Sequence, residues 1–86
     1  RSGDDVNVYP NPFVDHITIE LGRSWDGDVE LSLYDMFGRV SKTENIINSS
    51  VNFTHRIELS NTNYGLYIIK IKQKEKVLIK KLIREN

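Results

Sequence analysis

Gly65-Leu66-Tyr67-Ile68-Ile69-Lys70-Ile71-Lys72 is the stretch whose reading decides the fold class. Tyr67, Ile69 and Ile71 fall on one face and Lys70 and Lys72 on the other, the period of two that marks a half-buried strand. Composition points the same way. The chain has no alanine, the best helix former, while Val, Ile and Thr supply 21 of its 86 residues. β-branched side chains lose rotamer freedom in a helix and pack well on a pleated surface, so an all-β domain is expected.

Upstream, the alternation recurs. Phe53 to Leu59 places Phe53, Ile57 and Leu59 inward with His55 on their side. Val29 to Tyr34 points Val29, Leu31 and Leu33 inward. Asp15 to Leu21 sets Ile17, Ile19 and Leu21 against His16, Thr18 and Glu20, and Val6 to Tyr9 makes a short first strand. Arg39 to Ile47 is more polar and less regular, which suits a short edge strand running into a connection through Asn48-Ser49-Ser50. Between these segments stand turn formers: Gly22 to Gly27, Asp35-Met36-Phe37-Gly38 and Ser60 to Asn63. Neither proline of Pro10-Asn11-Pro12 can donate to a ladder, so the chain turns or changes sheets there.

Downstream, Gln73 to Lys76 turns and Val77 to Arg84 returns. In this last segment Leu78, Ile79, Leu82 and Ile83 also share one arc of a helix, with Lys80, Lys81 and Arg84 opposite. Its β-branched residues, the absence of an N-cap and the short turn before it favour a strand, with Lys80-Lys81 at a bulge or a change of face. Seven short strands predict an immunoglobulin-like antiparallel β-sandwich spanning residues 6–86 as one domain. Residues 1–5 read as a linker or cleavage-region remnant. The start Arg1-Ser2-Gly3-Asp4-Asp5 is neither Met nor a signal peptide, which suggests a piece of a longer precursor.

Charge and size narrow the function. Twelve Lys and Arg balance twelve Asp and Glu, so a nucleic-acid partner is not expected. A chain this short buries only about 60% of its unfolded surface, leaving little material for a catalytic cleft, and an autonomous enzyme is not expected. The lack of cysteine excludes a disulfide framework, a thiol nucleophile and a cysteine zinc site. No apolar run approaches the roughly 18 residues of a helical membrane span. The distribution is uneven: residues 1–35 carry two Arg against eight acids, a net of −6, and residues 70–84 carry seven bases against Glu75, a net of +6. Edge-strand lysines that prevent aggregation would explain the basic hairpin.

Candidate chemistry is sparse. His16 sits on a polar strand face and His55 on an apolar one, a poor pair for a shared metal or catalytic role. No serine lies in a Gly-x-Ser-x-Gly elbow. Asp26-Gly27-Asp28 with Glu30 offers oxygen ligands, but the complete calcium-loop pattern is missing. Trp25 either plugs one end of the core or stacks on a sugar. Asn48-Ser49-Ser50 and Asn52-Phe53-Thr54 match the glycosylation sequon. No cofactor is expected.

Three stretches are unusual for a generic sandwich: Tyr9-Pro10-Asn11-Pro12-Phe13 followed by Ile17-Thr18-Ile19; Leu33-Tyr34-Asp35-Met36-Phe37-Gly38-Arg39-Val40; and Gly65 to Ile71 closing with Lys80-Lys81-Leu82-Ile83. In this order and spacing the chain, from about Val6 to its last residue, resembles the type A C-terminal sorting domain of the type IX (Por) secretion system. Ser41, where the family often has an apolar residue, and a 73–76 turn without the usual glycine depart from the pattern. The resemblance implies a seven-stranded sandwich at the C-terminus of a secreted Gram-negative protein, often a protease, glycosidase or adhesin. It implies passage through the periplasm, recognition by an outer-membrane translocon, and removal by a sortase-like cysteine peptidase that attaches the cargo to cell-surface lipopolysaccharide. The family's motif positions fall on Pro10, Asn11, Pro12, Gly38, Arg39, Gly65, Tyr67, Lys80, Lys81, Leu82 and Ile83. Open edge strands permit, without requiring, a homodimer. The competing readings are a carbohydrate-binding or fibronectin-like accessory module resting on Trp25 and Tyr34, and a membrane-surface or partner-binding module using 77–84 as a basic helix.

Overall fold

The computed structural model describes residues 5–49 and 53–85. Seven strands follow in order: β1 (Val6–Tyr9), β2 (His16–Leu21), β3 (Gly27–Asp35), β4 (Val40–Asn48), β5 (Phe53–Glu58), β6 (Gly65–Gln73) and β7 (Lys76–Arg84), with one 3-10 turn at Arg23–Trp25. They form two antiparallel sheets, β1-β2-β5 and β4-β3-β6-β7. The non-sequential pairings β2·β5 and β3·β6 tie the hairpins into a sandwich of the expected all-β class.

The alternation read from the sequence builds the core. Ile17, Ile19 and Leu21 from β2 meet Val29, Leu31 and Leu33 from β3 and Tyr67, Ile69 and Ile71 from β6, all buried. Each such side chain contributes about 1.5–3 kcal/mol relative to exposure. Trp25 closes one end of this core. After Pro12 the chain turns rather than changing sheets: it touches β7 through Phe13 and then returns to pair with β1 as β2. Phe13 donates to Ile83 O at 2.8 Å and accepts from Glu85 N, so a segment leaving the three-stranded sheet lies against β7 of the other.

Three expectations are corrected. β4 is nine residues long rather than short. It is the edge strand expected there, pairing with β3 alone, and its polarity masked its length because only Ile46 and Asn48 of it are buried. Residues 77–84 are strand, and Lys80-Lys81 marks no bulge: β6 and β7 pair without interruption from Gly65↔Arg84 to Gln73↔Lys76. Simple alternation sends the two lysines to opposite faces, and the irregularity lies instead between Leu33 and Tyr34 against β4. Tyr34, read as exposed, is half-buried, with Lys70 Nζ 5.5 Å from its ring centroid.

Candidate functional site

At the end of the sandwich where β3 turns into β4, Asp35 organises the hairpin. Its Oδ1 accepts from Phe37 N (2.9 Å) and Arg39 N (3.0 Å), its Oδ2 from Arg39 Nε (3.0 Å), and its backbone N donates to Arg39 O. Partial burial pushes the carboxyl up, but the two amides and the Arg39 guanidinium outweigh it and hold its pKa below the ordinary value. Gly38 takes φ +81°, closing the turn in a conformation that suits glycine. Arg39 lies over the Phe37 ring at 5.2 Å.

Gly65 opens β6 beside this turn. Its φ is +124°, and a Cβ there would sit 3.5 Å from Met36 Cε, so the two glycine motifs meet. Tyr67 follows, buried, its hydroxyl donating to Asn63 O at 2.7 Å and its ring edge-on to Phe13 at 6.0 Å. Asp35, Tyr67 and Leu82 form one cross-strand row. On the far side of β7, Asn11 behaves as an added peptide unit: its Nδ2 donates to Lys81 O and its Oδ1 accepts from Ile83 N, both at 3.0 Å. The Tyr9-Pro10 and Asn11-Pro12 bonds that flank it are cis.

Thus the three motif stretches, distant in sequence, converge on one end of the four-stranded sheet. Lys81 and Ile83 are exposed, Leu82 is buried, and Lys80 stands half-buried at mid-strand on the inner side. Arg84 was missing from the sequence-derived set and is the joint between the pieces. It donates to Val14 O and Thr62 O, and its guanidinium lies 5.0 Å from the centroid of Tyr64. Parity with Leu82 was the signal that could have found it, since it places this arginine on the inner face of β7. An open groove of about 750 Å³ runs between the Asp35–Lys42 and Glu58–Leu66 segments, lined by Met36, Phe37, Val40 and Tyr64. It offers contact area rather than reacting groups: Asp35 is bonded to Arg39, and Glu58 to Arg56.

The remaining candidates do not assemble. His16 bonds to Asp15 on the outer side of β2, and His55 reaches from β5 across to Glu44 on β4. Asp26, Asp28 and Glu30 are exposed. Trp25 is 1% exposed, which removes it as a sugar platform. Asn48 is buried, its Nδ2 donating to Gly22 O and Trp25 O, so the first sequon is a structural bracket. The Asn52 sequon begins outside the described residues. At the opposite end from the motifs, the chain enters at Asp5, whose backbone O accepts from Gly22 N and whose carboxylate accepts from Ser24 N and Oγ.

The family profile described as the secretion system C-terminal sorting domain matches residues 7–85. The chain belongs to this family. As a C-terminal sorting domain of type IX secretion, it is the part of a larger cargo precursor that interacts with the secretion machinery and directs export across the outer membrane to the cell surface or beyond. No curated protein matches the chain. A sorting domain acts as an address rather than a catalyst, and nothing observed favours the carbohydrate-binding reading.

Proposed function

We propose that residues 6–86 are a removable tail whose end bearing Gly38, Gly65 and Ile83 is read by the outer-membrane translocon. In this reading residues 1–5 join it to the cargo ahead of it. A sortase-like peptidase then releases the tail and leaves the cargo on the cell surface. The domain itself performs no catalysis. The observation that carries the proposal is the convergence of Asn11, Gly38, Gly65 and Lys81–Ile83 on one end of one sheet. Within that set the roles divide. Pro10, Asn11, Pro12, Gly38, Gly65, Tyr67 and Leu82 shape the surface, Arg39, Lys81 and Ile83 are offered to the receptor, and the half-buried Lys80 adds its charge from the inner side. The +6 charge of residues 70–84 steers an acidic partner onto it.

Fusing the 86 residues behind a signal-peptide-bearing fluorescent reporter tests the reading. Surface delivery in a host with an intact translocon, lost when the translocon is disabled, is the expected result, and release of the tail reports the peptidase step. Periplasmic retention in both hosts would refute it. Replacing Lys80 and Lys81 with Gln is expected to preserve folding and stall export, and normal export by that variant would remove the lysines from the contact set.

A further inference from the structure

The outer face of the four-stranded sheet carries apolar side chains that the fold leaves uncovered. Cross-strand rows there read Tyr34, Ile68, Lys81; then Ser32, Lys70, Ile79; then Glu30, Lys72, Val77. Val77, Ile79 and Ile83 are 49%, 60% and 47% exposed. An exposed apolar cluster rimmed by charge marks an interaction surface. β7 is also the outermost strand of its sheet. Ile83 N and O both point away from β6, toward Asn11 and Phe13. Backbone groups alternate along a strand, so those of Val77 and Ile79 face the same open side. Among the described residues no strand pairs with that stretch. The Asn11 clasp at Lys81 and Ile83 marks where the open edge ends.

We propose that the Val77–Ile79 edge of β7 takes up an extended, acidic strand from a partner protein. The partner's apolar side chains extend the Val77, Ile79 and Ile83 surface, and its carboxylates face Lys81 and Lys72 of the same outer face. Two other occupants fit less well. A second copy would bring two segments of net charge +6 together. A lipid surface would leave the edge N–H and C=O groups without partners in an apolar medium. An acidic strand satisfies the apolar surface, the charge and the backbone together. The proposal rests on the translocon reading and extends it from the motif end along β7, with the +6 segment 70–84 taking part in recognition.

Amide-shift titration of the isotopically labelled 86-residue chain tests it, with a short peptide alternating Val and Glu as probe and its Val/Lys counterpart as control. The expected result is a Val/Glu complex that perturbs the Val77, Ile79 and Lys81 amides and weakens with salt. Ile79→Pro removes an N–H that faces the open edge, not β6. It is expected to cut affinity roughly tenfold, the scale of a lost backbone hydrogen bond and its neighbours. Ile79→Glu keeps the N–H, sets a carboxylate against the partner's carboxylates and removes an apolar contact, and is expected to weaken binding similarly. Equal binding of the Val/Lys peptide, or affinity unchanged in both variants, overturns the proposal. So does binding to anionic phospholipid vesicles without peptide binding, or self-association through the same amides. The reporter fusion separates the two ideas: peptide binding without translocon-dependent export sinks the sorting reading alone, and export without peptide binding sinks the strand site alone.

Discussion

The two sheets bury equivalent faces and present opposite outer ones. On the outside of β1-β2-β5 every position is polar or paired: Asn7 and Tyr9 both donate to Glu20, and Arg56 bonds Glu58. On the outside of β4-β3-β6-β7 stand Val40, Ile68, Ile79 and Ile83, interleaved with Lys70, Lys72 and Lys81. Folding explains the first pattern, since a strand needs one apolar face only. It does not explain the second, because apolar side chains turned to water add nothing to the core. On the proposal above, the difference reflects a second requirement on β6 and β7, contact with something outside the domain.

The heaviest test of this contrast is Phe13→Ala. Phe13 is wholly buried and carries the bonds that hold the β1 exit against β7. Its truncation is expected to cost about 3–5 kcal/mol, measured by urea unfolding. A loss well under that range would show that the motif end stands without the packing of this ring and is held by the backbone bonds alone. Gly65→Ala forces a side chain into φ +124° and toward Met36, at an expected cost of about 1–3 kcal/mol. A thermal melt reads it, and a neutral result would mean that the glycine serves the receptor rather than the turn. Lys74→Gly should stabilise. Lys74 adopts φ +54° at the first central position of the β6–β7 turn, a conformation costly for any residue with a Cβ, and relief is expected to be about 1 kcal/mol. This is where the sequence departs from the family's glycine. Ile79→Thr is expected to change stability by no more than about 0.5 kcal/mol, and a larger loss would place the outer apolar residues in the folding account and dissolve the contrast.

The gentlest effect is one of pH. The folded pKa of Asp35 lies below its ordinary value, so its contribution to stability is complete above the unfolded carboxyl's range, near pH 4, and fades as pH falls through the lower folded value. The Arg39 amide resonance should therefore hold steady down to pH 4 and move only below it. Movement beginning above pH 5 would show that the turn is not held by this carboxylate.

Much of this was legible in the sequence, and the failures share a cause. β2, β3 and β6 were readable because their two faces differ in polarity, which is what alternation detects. β4 was legible as an edge strand but not in its full length, because two buried side chains leave little alternation to see. Asn48 read as a modification motif because the carbonyls it brackets, on Gly22 and Trp25, lie far away in sequence. Lys80-Lys81 suggests a bulge or a change of face, whereas plain alternation turns Lys81 outward and the inner side near an edge strand tolerates the half-buried stem of Lys80. Arg84 was invisible as a joint because its acceptors, Val14 and Thr62, are supplied by two other segments. For the site, the motifs were readable as a set, but their meeting at one end was not, since it depends on β3·β6 and β6·β7 register.

Asp5 is tied to Gly22 and Ser24 at one end of a body 33 Å long, while Asn11, Gly38, Gly65 and Arg84 cluster at the other. On the proposed reading, a passenger joined ahead of Asp5 leaves the domain at the end away from Gly38, Gly65 and Ile83, and its bulk does not cover them. A tail so arranged makes no demand on the size of what it tows, much as a tug's towline leaves its bow free.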